Sequence, residues 1–140
     1  MLGAIIMKLK AGSGFNYLND RNLPAFLNDW NKNATFVYPG NISMSGEHHG
    51  IDNIKIWWEK FFVQFPESKF TCNNVFIKNC FAFGPSNEIT LDWDVVATNK
   101  EQKKFTNSGV SVVKLSQGKI VHFKDYFFST DTLAEAWGEE

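Results

Sequence analysis

Apolar and polar positions change rhythm once along this chain, close to residue 66. Before that point the apolar spacing is helical. In residues 4–19, Ile5, Ile6, Leu9, Phe15 and Leu18 recur at a loose helical period, although Gly12 and Gly14 each disfavour a helix interior by ~1 kcal/mol and predict an irregular helix. Pro24 stands where a second short helix opens, with Ala25, Phe26, Leu27 and Trp30 behind it. Residues 34–38 read as a strand stopped by Pro39 and Gly40, and the polar stretch as far as Gly50 reads as a loop. The clearest helix covers residues 51–65: Ile54, Trp58, Phe61 and Phe65 form one stripe, broadened by Trp57 and Phe62. Asp52 suits the helix dipole and Pro66 ends the element.

Beyond residue 66 the period drops to two, the signature of strands. Residues 70–78 form one, with a bulge expected at Asn73-Asn74 where the alternation slips. After a turn at residues 84–87, residues 88–98 alternate: Ile89, Leu91, Trp93, Val95 and Ala97 share one face, while Asp92 and Asp94 take the other, which we read as outward. Strands over residues 104–115 and 119–128 and a short helix over residues 130–137 complete the chain. Helices followed by a meander of long strands define an α+β fold, with N-terminal helices laid on one face of a curved, mainly antiparallel sheet. The opposite face carries Val110, Val112, Tyr126 and Phe128, more apolar surface than a monomer usually exposes, so a homodimer is expected.

The last strand holds the sharpest chemical signal. Val121, Phe123, Asp125 and Phe127 share one side, and His122, Lys124, Tyr126 and Phe128 the other. Asp125 therefore stands in an otherwise apolar row, where a carboxylate is unfavourable unless it is paired, hydrogen-bonded or beside a wet cavity. Three roles fit: a general acid/base whose pKa is raised by an apolar pocket, a ligand contact without chemistry, or a structural carboxylate tied to backbone amides. Tyr38 and Trp57 are candidate hydrogen-bond donors to an enolate. Trp93, Phe123 and His48 complete the expected ligand-binding set.

Composition narrows the partners. Fourteen Phe and five Trp suit a thick core or an aromatic cavity, and a net charge of −1 offers no basic field for nucleic acid. No apolar run is long enough to span a membrane. Leu2 to Met7 lacks the basic region of a secretory signal, so a cytoplasmic protein is expected. Cys72 and Cys80 would lie far apart on one strand and are read as reduced thiols. Adjacent His48 and His49 beside Glu47 do not supply the spaced ligand set of a zinc site, so neither metal nor cofactor is expected. At 140 residues a single domain over 1–140 is expected.

With the elements placed, the chain resembles the nuclear transport factor 2-like superfamily, and within it the SnoaL-like group. The likeness rests on Leu23 to Leu27 before Thr35-Phe36-Val37-Tyr38-Pro39-Gly40, on His49-Gly50 leading into the long helix, and on Asp92-Trp93 in a long strand. Ser108-Gly109-Val110-Ser111-Val112 and Gly118-Lys119-Ile120-Val121 with Asp125-Tyr126 downstream complete it. It implies a cone-shaped α+β barrel, usually dimeric, with a hydrophobic pocket for an apolar or aromatic small molecule. In family cyclases an aspartate on the final strand is catalytic, and Asp125 matches that position. Ketosteroid isomerases place their base where Tyr38 stands, before Pro39, and their second aspartate near Gly109 or Val110. Epoxide hydrolases of the fold need an Asp-Arg-Asp set, and Arg21, the one arginine here, lies in the wrong region. The resemblance therefore favours a cyclase- or isomerase-like protein acting through Asp125, with a non-catalytic binding or dimeric interaction module as the alternative.

Overall fold

The computed structural model describes residues 2–79 and 86–139. The turn expected at residues 84–87 falls partly outside them, as does Cys80; Cys72 is a free thiol. Among these residues, four helices and six strands run in the order α1 (Leu2–Asn19), α2 (Leu23–Leu27), β1 (Trp30–Tyr38), β2 (Gly46–His49), α3 (Ile51–Gln64), β3 (Glu67–Ile77), β4 (Ser86–Thr98), β5 (Lys104–Ser116), β6 (Lys119–Phe127) and α4 (Leu133–Ala136). The strands form one sheet ordered β2-β1-β6-β5-β4-β3. The β1·β6 pairing is parallel; the other four pairings among the described residues are antiparallel. The sheet curves around the helices without closing, and its concave face carries the core.

Three details differ from the sequence pattern, each for a physical reason. First, α1 is continuous through Gly12 and Gly14. Phe15 and Leu18 are buried, and the Asn19 amide exchanges two hydrogen bonds with the Phe70 backbone, at 2.9 and 2.8 Å. Tertiary packing of this kind outweighs weak local propensity. Second, the polar stretch before Gly50 contains a strand: β2 pairs with the end of β1, Val37 opposite Glu47. It is a short edge strand, which needs no apolar alternation. Third, a bulge between Lys114 and Leu115 of the β5·β6 ladder resets the phase of β6, pairing Leu115 with Ile120. Ile120 joins the core face in place of Val121. The bulge expected in β3 is present, between Cys72 and Asn74.

Helix α3 lays Ile54, Trp57, Trp58 and Phe61 into the hollow. Its carboxyl end is held from a distance. Arg21, in the left-handed region at φ 57, donates from its guanidinium to the carbonyls of Phe62 (3.0 Å) and Phe65 (2.5 Å), satisfying acceptors that a helix end leaves open. The last element, α4, packs against this same end of α3: the Ala136 carbonyl accepts from Gln64 at 2.8 Å and from Asn99 at 3.2 Å.

Candidate functional site

Asp125 lies two residues before the end of β6, and the alternation of that strand turns it to the concave side with Phe123 and Phe127. It is buried, 8% exposed. In the β5·β6 register its direct neighbour is Ser111, whose hydroxyl donates to Asp125 Oδ1 at 2.5 Å. The indole N–H of Trp93 donates to the same Ser111 oxygen at 2.9 Å. An indole N–H only donates, so Ser111 accepts there and keeps its own proton for the carboxylate. Burial pushes the Asp125 carboxyl up to about 7, and the Ser111 hydrogen bond opposes that rise only in part. The group is thus poised between its two protonation states at neutral pH.

Asp125 borders two cavities. The larger, about 350 Å³, lies between the sheet and α1 and is lined chiefly by apolar side chains, among them Met7, Phe15, Leu91 and Val113. Trp30, Trp58, Trp93 and Phe123 also face it. The smaller, about 70 Å³, lies toward α4 and is bounded by Tyr38, Trp57 and Trp137. Asp125, Trp58, Phe70 and Trp93 line both.

The residues singled out in the sequence are therefore divided. Trp93 and Phe123 meet Asp125 at the larger cavity. Tyr38 and Trp57 meet it at the smaller one, ring centroids 4.6 Å apart. There the Tyr38 hydroxyl accepts from the Trp137 indole at 3.0 Å, and burial raises its pKa far above the ordinary tyrosine value. The Trp57 indole donates to the Met44 carbonyl at 3.0 Å. His48 lines neither cavity; its Nε2 meets the same Met44 carbonyl at 2.9 Å. His49 pairs with Glu47 at 3.1 Å and with the Thr35 hydroxyl at 3.0 Å. Asp92 and Asp94 point away from the hollow and accept from Asn74 (2.8 Å) and Asn73 (3.0 Å) beside the β3 bulge. A side chain at Gly109 has no room: an added Cβ would fall 2.2 Å from the Tyr126 carbonyl and 3.0 Å from the Trp93 ring.

Ser111 and Trp30 escaped the sequence reading as site residues. The signal for Ser111 was present, because Gly109, Ser111, Val113 and Leu115 alternate onto one face. What placed it opposite Asp125 was the strand register, which alternation alone does not provide.

The SnoaL-like domain profile matches residues 14–123, and the chain belongs to that family. Solved structures agree on the fold. Bal32a, from a soil-derived mobile gene cassette, superposes with a TM-score of 0.79 at 16% identity, covering 91% of this chain and 92% of its own. A nuclear transport factor 2-like protein of unknown function from Burkholderia pseudomallei gives 0.78 at 17% identity, covering 92% and 95%. TerC, co-crystallized with polyporic acid, gives 0.73 at 16% identity, covering 90% and 93%. Among curated proteins none matches the sequence.

Proposed function

We propose that this chain binds an apolar small molecule in the larger cavity and that Asp125 moves a proton to or from it, as in a cyclase- or isomerase-type reaction beside a carbonyl. The observation that carries this reading is a buried carboxyl with a pKa of about 7 bordering an apolar hollow of about 350 Å³. That volume lies within the range of small-molecule sites, and that pKa is where general acid–base transfer is efficient at neutral pH. Ser111 orients Asp125 through Oδ1, so Oδ2 is the oxygen assigned to the ligand's proton. The structural likeness to TerC, itself crystallized with polyporic acid, is in keeping with an aromatic ligand.

Deuterium uptake next to a ketone tests the chemistry directly. In D₂O the protein is expected to accelerate exchange of the α-protons of 1-tetralone, with a rate that rises as pH passes through about 7 because the ionised carboxylate is the base. The Asp125→Asn variant should fall to the buffer rate while still binding the ketone. Binding without exchange in the native protein would leave a ligand-holding module and remove the catalytic role.

A second surface accompanies the site. Tyr126 is 46% and Phe128 88% exposed, on the outer side of the sheet, and we assign to that face the contact of a homodimer.

A further inference from the structure

We propose that Trp93 is a positioning residue for Asp125: by donating to the Ser111 oxygen it fixes the direction of the Ser111 hydroxyl, and so confines the transferable proton of Asp125 to Oδ2. This rests on reading Asp125 as the base. Trp93 lies opposite Gly109 in the β4·β5 register, and Ser111 stands two residues further along β5 on the same face. Because Gly109 has no side chain, the indole lies across it: an added Cβ would meet Trp93 Cζ2 and Cη2 at 3.0 Å. Phe127 and Phe70 make edge-to-face contacts with the ring, at 5.4 and 6.1 Å between centroids. Held in this way, the indole reaches diagonally, its Nε1 2.9 Å from Ser111 Oγ, and Ser111 Oγ lies 2.5 Å from Asp125 Oδ1. All three side chains are buried, so bulk water does not compete for either bond.

The direction of these bonds follows from what each group can donate. An indole nitrogen cannot accept, so its proton occupies one lone pair of the Ser111 oxygen. If Ser111 turned to accept from a protonated Oδ1 as well, its own proton would lose the acceptor it has among the described residues, an unfavourable state for a buried hydroxyl. Accepting from the indole also polarises the Ser111 O–H and strengthens its donation to Oδ1. Oδ1 is thereby kept as an acceptor, and the neutral acid carries its proton on Oδ2. In the transfer, the C–H bond beside a ligand carbonyl breaks and its electron pair passes to the carbonyl as an enolate. The proton bonds to Oδ2 and returns to carbon from the same oxygen. Among the described residues lining the two cavities, the other titratable groups are Tyr38, Lys10 and Asp29. Tyr38 stays neutral because burial raises its pKa, and Lys10 and Asp29 stand at exposed and half-buried positions.

Two readouts give the midpoint of the Asp125 titration: the ¹³C resonance of its carboxyl and the pH profile of 1-tetralone exchange. Ser111→Ala is expected to raise that midpoint by about one pH unit, the shift that follows when a carboxylate loses one neutral hydrogen bond. Trp93→Phe keeps Ser111 and an aromatic wall, and should raise it by roughly half as much. Should Trp93→Phe fold poorly, the indole ¹⁵N–¹H spectrum of the native protein decides. The Trp93 N–H resonance should move with pH at the same midpoint as the Asp125 carboxyl, because ionisation strengthens both bonds of the chain. Asp125→Asn should abolish that movement. An unchanged midpoint in Trp93→Phe, or a Trp93 resonance indifferent to the Asp125 titration, would overturn the positioning role and leave Asp125 as the base. If midpoint and resonance behave as expected while 1-tetralone does not exchange, the placement of the proton stands and the catalytic reading falls.

Discussion

Asp125 carries a stability consequence that is independent of any ligand. Its carboxyl titrates near 7 in the folded chain against an ordinary value of 3.8. Between those values the folded protein keeps a proton that the unfolded chain has released. Stability from this group therefore falls as pH rises from about 4 to about 7, by something on the order of 4 kcal/mol in total, and levels off above. Asp125→Asn removes the penalty of an ionised carboxylate and still accepts from Ser111. Urea unfolding should show the variant gaining on the native protein between pH 5 and pH 8. Parallel pH profiles for the two would mean that the carboxyl is not held near neutrality. At this scale the sequence was informative about Asp125, an acid in an apolar row, and silent about the surroundings of Trp30. A buried tryptophan looks the same in sequence whether its N–H has a partner or not, because the partner comes from elsewhere in the chain.

At the scale of elements, α3 supplies Trp57 and Trp58 to the hollow, and its carboxyl end depends on Arg21. The guanidinium reaches the carbonyls of Phe62 and Phe65 and lies over the Phe62 ring, 4.9 Å from its centroid. Charge-assisted hydrogen bonds of this kind are each worth roughly 1.5–3 kcal/mol when their partners are left without a substitute. Arg21→Ala is expected to lower stability by about 2 kcal/mol and to speed amide exchange in the last turn of α3. Arg21→Lys should rescue little, since a single ammonium does not reproduce the fork. Unchanged exchange at residues 61–65 in Arg21→Ala would show that the helix end is held by its packing alone. The stripe of α3 was legible from its spacing; the clamp was not, because Arg21 lies more than forty positions away in the chain.

At the scale of the whole molecule, the helices cover the concave side of the sheet and leave the convex side with Phe128, Tyr126 and Val96 exposed. Among the described residues no helix is long and apolar enough to cross a membrane, so a lipid-spanning role for α1, despite exposed Ile5 and Leu9, has no support in its length or apolarity. Pairing through the convex face predicts sedimentation at twice the 16.0 kDa of one chain. Tyr126→Glu with Phe128→Ser should shift the mass toward the monomer without changing ligand binding. A native protein that sediments as a monomer at micromolar concentration would remove the dimer.

The order of elements apart from β2, the stripe of α3, the alternation of β4 and the inward turn of Asp125 were all set by local periodicity, which side-chain geometry imposes on any strand or helix. Three-dimensional packing alone decided the rest. The bulge that turned Ile120 inward, the register that set Ser111 beside Asp125, and the hollow between α1 and the sheet all arise from packing between distant segments. Local spacing tells which way a side chain faces; only the folded sheet and helices determine what it meets there.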